Sequence, residues 1–266
     1  MIDPGTGLAL LGSAIGGKKL IEKILGPSAD YIGEQLKEWT QKKVENSSKI
    51  FKNAEGKLGD KINEDGSVPP KVLKGILEEG AWCEEELQIE YFGGVLASSR
   101  SGISRDDRGA YFISLISRLS TYQLRMHYLI YHSLKENFNG QDLNIGAGQD
   151  RENMELFIPF DTYQDAMDFS LEEVPNSWDL LTHSIWGIAK EELIENTFQY
   201  GEKDSLLKNS KKVYDAGMIV SPSSLGVELF MWAYGYGQKR TNNFFKESIV
   251  FNNDQKIELG KTMKTK

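Results

Sequence analysis

Only one cysteine, Cys83, and three histidines, His127, His132 and His183, occur among the 266 residues. A lone cysteine excludes an internal disulfide, and these four residues are too few and too scattered for a thiolate–imidazole zinc site. Such cysteine usage suits a reducing compartment, so the expected location is the cytoplasm. Long apolar runs are missing as well. The N-terminal stretch "MIDPGTGLALLGSAIGGKKL" is broken by Gly12, Gly16 and Gly17 and falls short of the roughly 20 residues that a membrane span needs. Its first charge is Asp3 and its lysines follow the apolar run, the reverse of a secretory signal. Basic residues are outnumbered too. Against 39 Asp and Glu stand 31 Lys and Arg, a net charge of −8. That balance excludes a general binder of nucleic acid or anionic membranes, because phosphates are repelled over most of the surface.

What is present points to helices. Hydrophobic residues make up 39% and charged residues 26%, an ordinary soluble composition in a chain long enough to bury a core. From Lys18 to about Gly59, Leu20, Ile21, Ile24, Leu25, Ile32, Leu36 and Trp39 recur at helical spacing around the break at Gly26-Pro27. Pro70 is placed to open the next helix, with Val72, Leu73, Ile76 and Leu77 on one face. The reading carries that helix through Cys83, with a second apolar stripe at Leu87, Phe92, Val95 and Leu96. Gly80, Gly93 and Gly94 weaken it but allow close helix contact. Ser104 and Asp107 have capping-box spacing, and the apolar stretch Gly109–Asn137 reads as one helix buried on most sides.

Further along, "MELFIPF" reads as a short strand, and "NSWDLLTHSIWGIAKEELIENTF" as a helix with a capping box at Asn176 and Asp179. The run "SLLKNSKKVYDAG" reads as a helix stopped by Gly217. Then follow "MIV" as a strand, "SPSS" as a turn and cap, and "LGVELFMWAYG" as a helix. The expected class is mainly α, a helical bundle with a small C-terminal winged-helix-like α+β element. The expected organisation is a glycine-rich segment 1–17, a helical domain 18–138, and a linker 139–169 with a possible short strand. A C-terminal subdomain 170–250 and a frayed tail 251–266 complete it.

The chemistry-bearing candidates are few. Gly12, Gly17 and Lys18 in "GSAIGGKK" match the spacing of a phosphate-binding loop, but Lys19 stands where a magnesium-holding Ser or Thr is needed. No strand–helix context surrounds it, so a structural role is expected. Cys83 precedes Glu84, Glu85 and Glu86, which disfavour a thiolate, and reads as a small packing residue. His127 and His132 are about 140° apart on a helix, too far round to share a metal. His183, between Trp178 and Trp186, reads as hydrogen-bonded or exposed. Glu191, Glu192 and Glu195 read as solvent-facing acids on a helix. Arg240 in "GYGQKR" marks the one place where basic and aromatic residues could meet nucleic acid, though a helix end is the plainer reading. No Ser-His-Asp arrangement is visible. No catalytic, cofactor-binding or metal residue is therefore assigned, no cofactor is expected, and a non-enzyme is the expected class.

Three stretches carry a family resemblance. "GGKKLIEKILGPSADYIGEQLKEWTQKKVENSSKIFKNAEGKL" resembles the leading segment of the Abi-alpha (abortive infection alpha) proteins, with its Gly-Pro break and long polar helix. "VPPKVLKGILEEGAWCEEELQIEYFGGVLASS" is similar to their central stretch, except that Tyr91-Phe92-Gly93-Gly94 replaces a tryptophan-alanine pair. "AGMIVSPSSLGVELFMWAYG" resembles a C-terminal element of the family. Residues from Asn139 to Phe169 are unmatched. These are packing motifs, so no catalytic residue carries over. The resemblance implies a largely helical bacterial protein of anti-phage defence that stops growth of the infected cell. With no catalytic constellation visible, the expected mode of action is binding, to a protein partner or by self-association. Two other readings stay open: a nucleotide- or nucleic-acid-acting enzyme, and a membrane-active toxin that uses the N-terminal apolar segment.

Overall fold

A computed structural model describes residues 41–103, 105–208, 212–252, 257 and 259–265. The phosphate-loop-like stretch at Gly12, Gly17 and Lys18, the apolar segment 1–17, the helix faces from Leu20 to Trp39, and Ser104 lie outside the described residues. The chain is mainly helical with a small α+β element, as its composition of elements shows. It forms two compact units. One holds the described residues up to Arg118 together with Met231–Gln238, and the other holds those of Leu119–Phe230 and Lys239–Lys266.

The first unit is built on helices α1 (Gln41–Leu58), α2 (Pro70–Glu79), α3 (Glu86–Ser99) and α4 (Arg108–Arg118). Pro70 occupies the first turn of α2, where its missing N–H costs nothing. Val72, Leu73, Ile76 and Leu77 are buried, the face their spacing predicts. Helix α2 ends at Gly80, where a Cβ would lie 2.5 Å from Ile50 Cδ1. A 3₁₀ turn over Gly80–Trp82 follows, and Cys83 leaves it with an extended ψ of 132°. The single helix expected through Cys83 is thus two helices, and Cys83 sits in the bend between them. Asn46 holds that bend by donating from Nδ2 to the carbonyls of Ala81 and Cys83, at 3.0 and 2.7 Å.

Helix α3 packs on α1 and is buried on nearly every side. Its Glu90 carboxylate, 3% exposed, accepts from Asn53 and Lys57 of α1. The Lys57 ammonium also lies 4.5 Å from the centre of the Tyr234 ring.

In the second unit, helix α5 (Thr121–Phe138) begins at a capping box. Ser120 Oγ accepts from the Gln123 N–H, and Gln123 Oε1 accepts from the Ser120 N–H. The apolar stretch expected as one helix over Gly109–Asn137 is therefore broken at Leu119–Ser120. A single turn α6 (Gly148–Arg151), strand β1 (Leu156–Pro159) and helix α7 (Phe160–Met167) fill much of the region expected as a linker.

Helix α8 spans Ser177–Lys190, and Asn176 makes no side-chain cap, so the expected capping box is absent. The helix also stops short of Phe198. Glu192 turns left-handed at φ 58°, and Ser223 Oγ donates to its carbonyl at 2.6 Å. Glu191, Glu192 and Glu195 consequently lie beyond the helix rather than on it.

Strand β2 (Gln199–Gly201), the single turn α9 (Lys203–Leu206), strand β3 (Gly217–Val220), helix α10 (Ser224–Ala233) and strand β4 (Met263–Lys264) complete the elements. Of the helix expected up to Gly217, only α9 is helical among the described residues. The four strands form one antiparallel sheet ordered β2-β3-β1-β4. β1 pairs with β3 from Leu156↔Val220 to Pro159↔Gly217. Residues 263–264, expected within a frayed tail, pair with β1, and Thr265 N–H donates to the Glu155 carbonyl. Phe157, Leu206, Val213 and Ile219 form a buried cluster that seats α9 on the sheet.

Candidate functional site

In the second unit, α8 presents Trp186 to solvent and Trp178 half-buried. Trp178 and Trp186 are eight residues apart, so they fall on one side of the helix. Phe198 and Tyr200 alternate around Gln199 at the sheet edge, so both rings point the same way. The four rings make a continuous row. Trp178 lies 6.3 Å from Tyr200, Tyr200 stacks at 6.4 Å on Phe198, and Phe198 meets Trp186 edge-on at 5.0 Å. Trp186 is 58% exposed, yet its indole N–H donates to the Tyr200 hydroxyl at 3.3 Å. A large apolar ring is thus presented to solvent in a fixed pose.

Beside this row, α5 and α8 bring three polar side chains together. Ser120 Oγ lies 3.0 Å from His183 Nε2, and Gln123 Nε2 lies 3.2 Å from the same nitrogen. Gln123 Oε1 is already taken by the Ser120 N–H, so its amide group faces the imidazole. In the tautomer with its proton on Nδ1, His183 Nε2 offers one lone pair, toward which both the Ser120 hydroxyl and the Gln123 amide can donate. Gly187, one turn after His183, makes room for the arrangement, because a Cβ there would come 2.0 Å from Gln123 Nε2. Nearby, the Tyr122 hydroxyl donates to the Glu173 carboxylate and holds it below the usual carboxylate range.

The residues singled out from sequence fare differently. Cys83 is buried, and its burial pushes the thiol up to about 12, against a smaller backbone hydrogen-bond effect. His127 is fully buried with Nε2 3.0 Å from the Gly226 carbonyl, and burial drives it down to about 3. His132 is lowered by burial as well, opposed by Glu136 at 3.7 Å. Glu195 accepts from Arg151 Nε at 2.7 Å, an ion pair within the fold. Arg240 is exposed but follows α10 only after Gly235 and Gly237, so it does not complement a helix end. Among the described residues, no group of three or more His, Cys, Asp or Glu side chains is arranged to hold a metal ion.

Sequence reasoning missed Ser120 and Lys135. Ser120 did carry a signal, the Ser-x-x-Gln spacing that starts α5. Lys135 carried none beyond a charge within an apolar helix. It is buried and donates to the carbonyls of Phe244 and Lys246, at 2.9 and 2.7 Å.

A polar cleft of about 540 Å³ lies between Glu136, Asn137, Tyr214, Lys261 and Thr262. No protein-family model, curated protein or solved structure matches this chain.

Proposed function

We propose that this protein is a cytoplasmic component of bacterial anti-phage defence of the abortive-infection type, acting by binding a partner protein or a second copy of itself. The defence role rests on the resemblance of its leading, central and C-terminal stretches to the Abi-alpha family. A binding mode is supported by one observation, the exposed Trp186 at the end of a row of half-buried aromatic rings. Tryptophan and tyrosine dominate the energetics of protein interfaces. A ring already held by the Tyr200 hydroxyl and the Phe198 edge loses little freedom when a partner covers it. No helix among the described residues is long and apolar enough to cross a membrane.

The test is a phage challenge of bacteria carrying the gene, alone and with its genomic neighbours. Protection that disappears in Trp186→Ala, while the purified variant melts normally and loses self-association or partner capture, supports the reading. Unchanged plaque formation and host survival in every genetic context would remove it.

A further inference from the structure

We propose that Ser120 and His183 form a nucleophile–base pair that cleaves neutral carboxylic esters bearing small apolar acyl groups. A serine hydroxyl is a poor nucleophile until a base removes its proton, and the arrangement that achieves this places an acceptor imidazole nitrogen within hydrogen-bond reach. Here the Oγ–Nε2 distance is 3.0 Å, and the tautomer that carries its proton on Nδ1 leaves the Nε2 lone pair within reach of the hydroxyl. Two residues 63 positions apart are thereby placed in register at the surface, with Ser120 half-buried and His183 open to solvent.

Ser120 attacks the ester carbonyl carbon through Oγ, and its proton passes to His183 Nε2. The tetrahedral adduct collapses by breaking the bond to the alcohol oxygen, which takes the proton back from His183. The acyl group is left on Ser120 Oγ. Water then adds with His183 again receiving the proton, and the carboxylic acid and free Ser120 are released. The nucleophile sits at the start of the 18-residue α5, so the positive end of the helix dipole faces the negative charge developing on the carbonyl oxygen.

The surroundings select the substrate. The exposed Trp186 ring, three residues beyond His183 on α8, offers an apolar platform for the acyl group. The chain's net charge of −8 disfavours phosphate esters and other anions.

This inference stands apart from the binding reading, because its test uses the purified full chain with no partner. A fluorophosphonate probe is added and the labelled peptide identified by mass. Attack by Ser120 forms the P–O bond and expels fluoride, so the adduct should fall on Ser120. Ser120→Ala removes the helix cap along with the hydroxyl. Ser120→Asn keeps a capping side chain and should abolish the adduct in a folded protein. His183→Gln should slow labelling by about 100-fold, the scale of a lost general base. Turnover of p-nitrophenyl butyrate should fall in parallel. Absence of any adduct, an adduct only at other serines, or an unchanged rate in His183→Gln would overturn the proposal.

Discussion

Gly94 of α3 faces the backbone of Ala233 so closely that a Cβ on Gly94 would lie 1.6 Å from the Ala233 carbonyl oxygen. The neighbouring Gly93 is similarly placed against Asn53 of α1, where its Cβ would come 2.7 Å from Asn53 Cβ. The glycine pair that weakens the sequence pattern as a helix is thus what permits this contact. In Gly94→Ala, the clash is with backbone, which cannot rotate away as a side chain can. Gly94→Ala should destabilise by about 3 kcal/mol, the upper part of the range for an overpacked core. Gly56→Ala, with nothing within 4 Å of its Cβ, is the control and should be neutral or slightly stabilising. Urea denaturation of the two variants separates the effects.

Cys83 should react slowly with iodoacetamide at neutral pH, because its thiol is buried and pushed up to about 12. The same shift has a stability consequence. The folded state holds the thiol proton more tightly than the unfolded chain, whose value is near 9.0. Stability is therefore unaffected below pH 9 and falls as pH rises from 9 toward 12, by about 1.4 kcal/mol per pH unit. Cys83→Ala should be about 1 kcal/mol less stable than the parent at pH 7. It should lack this alkaline loss, so the two proteins converge near pH 10. Cys83→Ser should cost more than Cys83→Ala, since a buried hydroxyl needs a partner. Fast alkylation of the folded protein would refute this account.

How much of this was legible in the sequence depends on the range of the interaction. The buried face of α2 and the strand Gly217–Val220 follow from local periodicity, and so does the turn at "SPSS", where Ser223 Oγ accepts from the Gly226 N–H at 2.9 Å. The break at Leu119–Ser120 was written in the Ser-x-x-Gln cap but hidden by apolar residues on both sides. Strand β4 has two residues, too few for any alternation to register. The Ser120–His183 contact joins positions 63 apart, and Lys135 reaches Phe244 across 109. Neither spacing follows from helix or strand repeats. The bend at Cys83 depends on Asn46, 37 residues upstream, for the same reason.

Lys135 fastens the segment after α10 by two charge-assisted bonds, so its removal should act on that segment first. Lys135→Met keeps the apolar stem but leaves the Phe244 and Lys246 carbonyls without this donor. The expected loss is about 3 kcal/mol, at the scale of a buried hydrogen bond to a charged group. Limited proteolysis should show earlier cleavage between Lys239 and Lys261 than in the parent. A cleavage pattern identical to the parent's would mean that the aromatic contacts of Phe244, Phe245 and Phe251 hold the segment alone.

His127 makes the fold sensitive to acid. Its ring is wholly enclosed, lies tilted with its centre 4.6 Å from that of Tyr131, and is driven down to about 3 by burial, with the Gly226 carbonyl opposing that shift. Unfolding releases an imidazole of ordinary value, 6.5, which binds a proton that the folded state refuses. The contribution is thus fully present above pH 6.5 and is lost as pH falls toward 3, at about 1.4 kcal/mol per pH unit. Near pH 5 the loss should reach about 2 kcal/mol. His132, lowered by the same burial, shifts stability in the same direction. His127→Phe should start less stable at pH 7.5, because the Gly226 carbonyl loses its ring partner, yet it should change less between pH 7.5 and pH 5. Denaturation curves at those two pH values, measured on parent and variant, give the difference directly. An equal acid loss in both proteins would show that His127 is not the group responsible.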